Sequence, residues 1–133
     1  MQFAVCSSNS QLIAFKKMQD FRKLKVWEIA HQLTLETYKL SAKFPREEVY
    51  ALTSQARRAS ASIGLNIVEG CGRSTIPDFK HFLVMATGSA NEVDYCFILA
   101  LDLGYINIDD YKRIQKTIEE VRKMLVSLIN KLK

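Results

Sequence analysis

From Ile108 to the C-terminus, apolar residues recur as Ile108, Tyr111, Ile114, Ile118, Val121, Leu125, Leu128 and Leu132. From Tyr111 onward the steps are 3, 4, 3, 4, 3 and 4, which is the seam of a helix that packs lengthwise on other helices. Such a stripe cannot remain in water, so the rest of the chain must supply partners for it. Asn107 precedes the stripe as an N-cap, with Asp109 and Asp110 in the first turn, where the helix end is positive. Lys131 and Lys133 suit the negative end.

Three further stretches have the same period. The first runs from about Phe21 to Lys43 and carries two apolar lines. One holds Leu24, Trp27, His31, Leu35, Tyr38 and Ala42; the other holds Val26, Ile29, Ala30, Leu33, Leu40 and Phe44. A small monomeric bundle needs one such line per helix, so the second line predicts a partner subunit. Phe44-Pro45 ends this helix, because the residue before proline avoids the α region.

Pro45 suits the first turn of a second helix reaching about Gly70, with Glu47 and Glu48 near its start. Its main line is Leu52, Ala56, Ala59, Ile63, Ile67 and Gly70; Ala61, Leu65 and Val68 form a weaker one. Gly64 costs about 1 kcal/mol of helix propensity relative to alanine, which close backbone approach would offset. Thr75 caps a third helix, whose line runs through Phe79, Phe82, Leu83, Ala86, Ala90, Val93, Phe97, Ala100 and Leu101. Gly88 and Ser89 again predict tight packing. Leu103-Gly104-Tyr105 reads as a glycine C-cap.

Four helices with short breaks predict an all-α fold, an antiparallel up-down-up-down four-helix bundle. A chain of 133 residues is one domain, here residues 18–133. Residues 1–17 differ in character and read as a poorly ordered extension, with Met18 an alternative start. The patch Phe3-Ala4-Val5-Cys6 is too short for a signal-peptide core, and no apolar run approaches the ~20 residues of a membrane span. The expectation is a cytoplasmic protein with no membrane contact. Cys6, Cys71 and Cys96 lack metal-ligand spacing and read as reduced thiols, Cys96 within the core.

The candidate chemistry is sparse. Glu28-x-x-His31 has the spacing of half a di-iron carboxylate site. Its would-be second half, Asp78-x-x-His81, has the wrong acid and a histidine on the outer side of its helix. No nucleophile meets a base, and Gly70-Cys71-Gly72 lacks the length and lysine of a phosphate loop. The sequence therefore predicts no metal, no cofactor and no enzymatic activity.

The polar candidates lie in Gln55–Gly70. Arg57 and Arg58 are adjacent, hence about 100° apart on a helix. Arg58, Ser62 and Glu69 share one side, and Glu69 and Arg73 are placed for a helix-end ion pair. Gln55 and Asn66 flank the main line and are expected to hydrogen-bond across helices. Net charge is +5, and residues 1–66 hold ten Lys/Arg against five Asp/Glu. Two readings stay open: Arg57, Arg58 and Arg73 contact RNA or DNA, or they bridge helices and subunits. Lys16, Lys17, Arg22, Lys23 and Lys25 form a second basic cluster. Trp27, His31, Gln55, Asn66 and Glu69 are candidates for an oligomer interface or a buried polar network.

The ordered set of residues also resembles a known family. The matching elements are Phe21, Leu24 and Trp27-x-x-Ala30; Phe44-Pro45 with Glu48-x-Tyr50-x-Leu52; and Gln55-x-Arg57-Arg58-Ala59. Ser62-Ile63-x-x-Asn66-Ile67-x-Glu69-Gly70 with Arg73 follows, then Phe79-x-x-Phe82-Leu83-x-x-Ala86-x-Gly88-Ser89-x-x-Glu92 and Leu103-Gly104-Tyr105. These resemble the small bacterial four-helix-bundle proteins encoded in intervening sequences of 23S ribosomal RNA genes. More loosely, the chain is similar to the accessory proteins of diversity-generating retroelements. The resemblance implies a left-handed bundle assembled into a homopentameric ring. Through the looser kinship it implies nucleic acid and a reverse transcriptase as partners. Residues 1–17 have no counterpart in the family, and Ile76-Pro77-Asp78 replaces a more acidic lead-in.

Overall fold

The structure is a computed structural model and describes residues 20–132. A 3-10 turn, Phe21–Lys23, leads into α1, Lys25–Ser41. A second 3-10 turn, Arg46–Glu48, precedes α2, Leu52–Cys71. Then follow α3, Ile76–Asp102, and α4, Ile108–Lys131. Each helix packs on its sequence neighbour, and α4 closes the bundle against α1. The described residues contain no strand, and no helix among them is long and apolar enough to cross a membrane. The expected residues 1–17 extension lies outside the described residues.

The core is built from the predicted apolar lines, except that Ile108, expected to head the α4 line, is 51% exposed at the first residue of that helix. Leu33, Ile63, Ile67, Phe79, Leu83, Phe97, Ile114, Ile118 and Leu125 are fully buried. Each contributes roughly 1.5–3 kcal/mol relative to exposure. Of the two lines on α1, the one through Val26, Ile29, Ala30, Leu33 and Leu40 turns inward, while Leu35 and Tyr38 of the other are exposed.

Three helix ends are as expected. Thr75 and Asn107 accept from the backbone N–H groups of Asp78 and Asp110. At the end of α3, Gly104 has φ +79°. Tyr105 N–H bonds Ala100 O at 2.8 Å and Gly104 N–H bonds Leu101 O at 3.0 Å, a Schellman motif that glycine admits without strain.

The first break is longer than expected. α1 ends at Ser41 and α2 begins at Leu52, not at Lys43 and Pro45. Tight bonds from Lys43 and Phe44 N–H to Leu40 and Ser41 O turn the chain off the helix. Pro45 is extended at ψ 150°, and Ala51, at φ −122° and ψ −105°, interrupts the spiral again. Glu48 stands outside α2 and caps it, its Oε1 accepting from Leu52 N–H at 3.2 Å. The Tyr105 hydroxyl donates to its Oε2 at 2.7 Å, which ties this turn to the α3–α4 corner.

The small residues divide into two kinds. A Cβ on Gly70 would stand 3.0 Å from both Phe79 Cδ1 and Phe82 Cβ, so α2 and α3 meet there by virtue of that glycine. Gly88, expected at a tight contact, has no atom within 4 Å of an added Cβ. It lies on the outward side of α3, and its neighbour Ser89 makes the contact instead.

Candidate functional site

Residues of the outward line on α1 lie beside the outward line on α2. Trp27 packs edge-on against Phe21, ring centroids 5.0 Å apart, and stacks on His31 at 5.2 Å with 5° between planes. Leu35 is 56% exposed and Leu65 66%. Between the helices runs a groove of about 250 Å³ lined by Trp27, His31, Thr34, Ala61, Gly64, Leu65 and Val68. The small side chains of α2 make the groove, since Gly64 leaves the Trp27 indole as its nearest neighbour at 3.7 Å from an added Cβ. A groove that is largely apolar and aromatic, with no carboxylate among the described residues lining it, has the makeup of a protein-contact surface. α3 also exposes apolar side chains, among them Val84, Met85 and Tyr95.

The arginines take different positions. Arg57 turns toward α1, where its Nε donates to Ser41 Oγ at 2.8 Å and Nη2 to Tyr38 O at 3.3 Å. Its guanidinium also lies over the Tyr38 ring at 4.8 Å. Arg58 faces the α2–α3 seam and donates to Gln55 Oε1 at 3.3 Å, while Gln55 Nε2 donates across to Glu92 Oε2 at 2.6 Å. Farther along, Ser62 and Ser89 share a hydroxyl contact at 2.9 Å. Arg73 pairs with Glu69 at 3.2 Å and covers the Phe82 ring at 4.7 Å. The expected ion pair is therefore present, between two exposed side chains.

Gln55 bonds across helices as expected. Asn66 does not: its Nδ2 donates to Ser62 O at 2.9 Å on its own helix, because an amide four residues on reaches that carbonyl more easily than α3. Trp27, His31, Gln55, Asn66 and Glu69 thus form two groups. Trp27 and His31 belong to the α1–α2 face, the other three to the α2–α3 seam, and none is fully buried.

Electrostatics adds two features. Removing Lys16, Lys17 and Lys133, which lie outside the described residues, leaves sixteen Lys/Arg against fourteen Asp/Glu. The basic excess is therefore slight over the folded bundle. Asp110, buried at the first turn of α4, accepts from Lys43 Nζ at 2.9 Å and pairs with Arg113. The Lys43 hydrogen bond holds its carboxyl below the usual range, against the upward push of burial. An acid in a helix first turn is the one local sign of this cross-link, since Lys43 lies 67 residues away. Arg122 was likewise missed, though it ties α4 to Asp94 and Asn91 of α3, each at 2.9 Å.

Among the described residues, no three His, Cys, Asp or Glu side chains are grouped to hold a metal ion. His31 stacks on Trp27, and His81 lies against Phe82 on another helix.

Comparison with known proteins agrees with this architecture. A crystal structure of a protein of unknown function from the S23 ribosomal protein family of Bacteroides thetaiotaomicron superposes with a TM-score of 0.73 at 28% sequence identity. The alignment covers 78% of this chain and 97% of that one. No curated protein matches the chain. The family profile described as 23S rRNA-intervening sequence protein matches residues 22–127. The chain belongs to the 23S rRNA-intervening sequence protein family.

Proposed function

We propose that this protein is a non-enzymatic homo-oligomer, assembled as a pentameric ring, that binds RNA or DNA through a basic surface. One observation carries the assembly: the outward face of Trp27, His31, Leu35, Tyr38 and Leu65 is a second apolar side on a bundle whose core is already complete. The exposed apolar residues of α3 are a different patch on a helix that lies across the bundle from α1. Two unlike patches favour head-to-tail contacts, which form a ring when the rotation between neighbouring subunits closes. The number five comes from the family resemblance.

The nucleic-acid role draws on exposed cations. Arg58, on α2, and Arg73, just past its end, are both exposed at the surface. A scaffold without nucleic acid is the second reading, favoured by the in-chain partners of Arg57, Arg58 and Arg73.

Light scattering tests the assembly. The expected mass is about five times the 15.2 kDa subunit, reduced to one subunit by Leu35→Glu with Leu65→Glu. A monomeric wild type would overturn it. Filter binding at rising salt tests the nucleic-acid arm. Binding that falls with salt and weakens in Arg58→Ala with Arg73→Ala supports it; an oligomer that binds nothing leaves the scaffold.

A further inference from the structure

A second cleft, of about 340 Å³, opens between the start of α1 and the end of α4. It lies on the side of α1 that faces α4, away from the Trp27 groove. Its floor is apolar, made by Leu24, Val26, Met124 and Leu128, and three lysines, Lys25, Lys123 and Lys131, stand around it. No carboxylate is among the described residues that line it. Lys25 has an exposed partner in Glu28 at 3.6 Å, and Lys123 also borders a groove with Glu119 and Glu120. Among the described residues, no ion pair engages Lys123 or Lys131.

We propose that this cleft binds an amphiphilic anion, a free straight-chain carboxylate. Its alkyl chain lies on the four apolar side chains and its head group stands among the three ammonium groups. The volume is at the lower end of small-molecule sites, enough for a chain of medium length. The lysine stems add apolar wall while their charges stay in water. Single exposed pairs are weak, but three cations around one head group act together, and the chain adds affinity for each methylene buried. A phosphate backbone would meet the same charges and leave the floor uncovered, so the apolar floor selects the amphiphile over nucleic acid. The inference does not depend on assembly through the α1–α2 face.

Titration calorimetry of the full chain with octanoate and decanoate, below their micelle-forming concentrations, tests it. Two more buried methylenes should tighten binding about tenfold. Decanol, which lacks the charge, should bind at least about tenfold more weakly than decanoate. Lys123→Glu with Lys131→Glu, both at exposed positions, should lose decanoate binding while circular dichroism shows the helices intact. Absence of binding at millimolar decanoate, equal affinity for the two chain lengths, or full binding by the double variant would each overturn the proposal.

Discussion

Arg57 of α2 donates from Nε to the hydroxyl of Ser41, 2.8 Å away at the last residue of α1. The same guanidinium reaches Tyr38 O at 3.3 Å and lies over its ring. One cation therefore serves two acceptors and an aromatic face where the α1 dipole is negative. Its neighbour Arg58 has a single contact at the surface.

Arg57→Ala should accordingly cost about 1–2 kcal/mol of stability, through a lost charged hydrogen bond and helix-end charge. Arg58→Ala should stay within about 0.5 kcal/mol, as surface substitutions do. Urea denaturation of the two variants measures the difference. Equal destabilisation would show that Arg57 does not hold α1 to α2.

The glycines give a second contrast. Gly70→Ala puts a methyl 3.0 Å from Phe79 Cδ1 and Phe82 Cβ and 3.3 Å from Phe79 O. The Phe79 ring is fully buried and cannot swing away, so overpacking should cost about 1–3 kcal/mol. Gly64→Ala meets only the Trp27 indole at ordinary contact distance, and Gly88→Ala meets nothing within 4 Å. Each should gain up to about 1 kcal/mol of helix propensity. Thermal melts of the three variants rank them; a stabilised Gly70→Ala would mean that α2 and α3 can separate there without loss.

Asp110 makes the fold sensitive to acid. Its carboxyl is held low by the Lys43 hydrogen bond, helped by the charges of Lys43 and Arg113. A carboxyl with a folded value below its unfolded one stabilises the fold in its ionised form. That contribution is present above the unfolded value, about 3.9 for aspartate, and disappears as pH falls through the folded one. Asp110→Asn should therefore lower the urea midpoint near neutral pH and lower it less near about pH 2–3. A gap between variant and wild type that stays constant with pH would refute the ion pair's role.

How much of this was legible in the sequence depends on how local each interaction is. The apolar lines placed all four helices, because each line repeats over several turns of one segment. Thr75, Asn107 and Gly104 announced their caps, since a cap reaches only three or four residues. The start of α2 was not legible. Glu48 bonds Leu52 N–H locally, but its other oxygen takes the Tyr105 hydroxyl 57 residues away. Which line of α1 turns inward was also hidden, as both are apolar and the choice depends on what α2 and α4 present. The divergence of Arg57 and Arg58 followed from helix geometry, while the partners that give them different tasks lie on other helices. The lysine cleft joins residues about a hundred positions apart, and no local pattern marks it.

Two cysteines give the last test. Burial pushes the Cys71 thiol up to about 12, with the Asp20 carboxylate adding to the shift. Burial pushes Cys96 up to about 11, with Glu92 adding to it. Both are free and buried among apolar side chains. Near pH 8 roughly one thiol in a thousand or fewer is ionised at these positions, and only the thiolate attacks an alkylating agent. Native protein treated with iodoacetamide should therefore give unmodified peptides at Cys71 and Cys96 by mass spectrometry. In concentrated urea both should be alkylated, because unfolding returns each thiol to water and to its ordinary range. Rapid native modification at Cys71 would mean that the α2–α3 corner, where Gly70 meets Phe79, opens far more often than the contacts there allow.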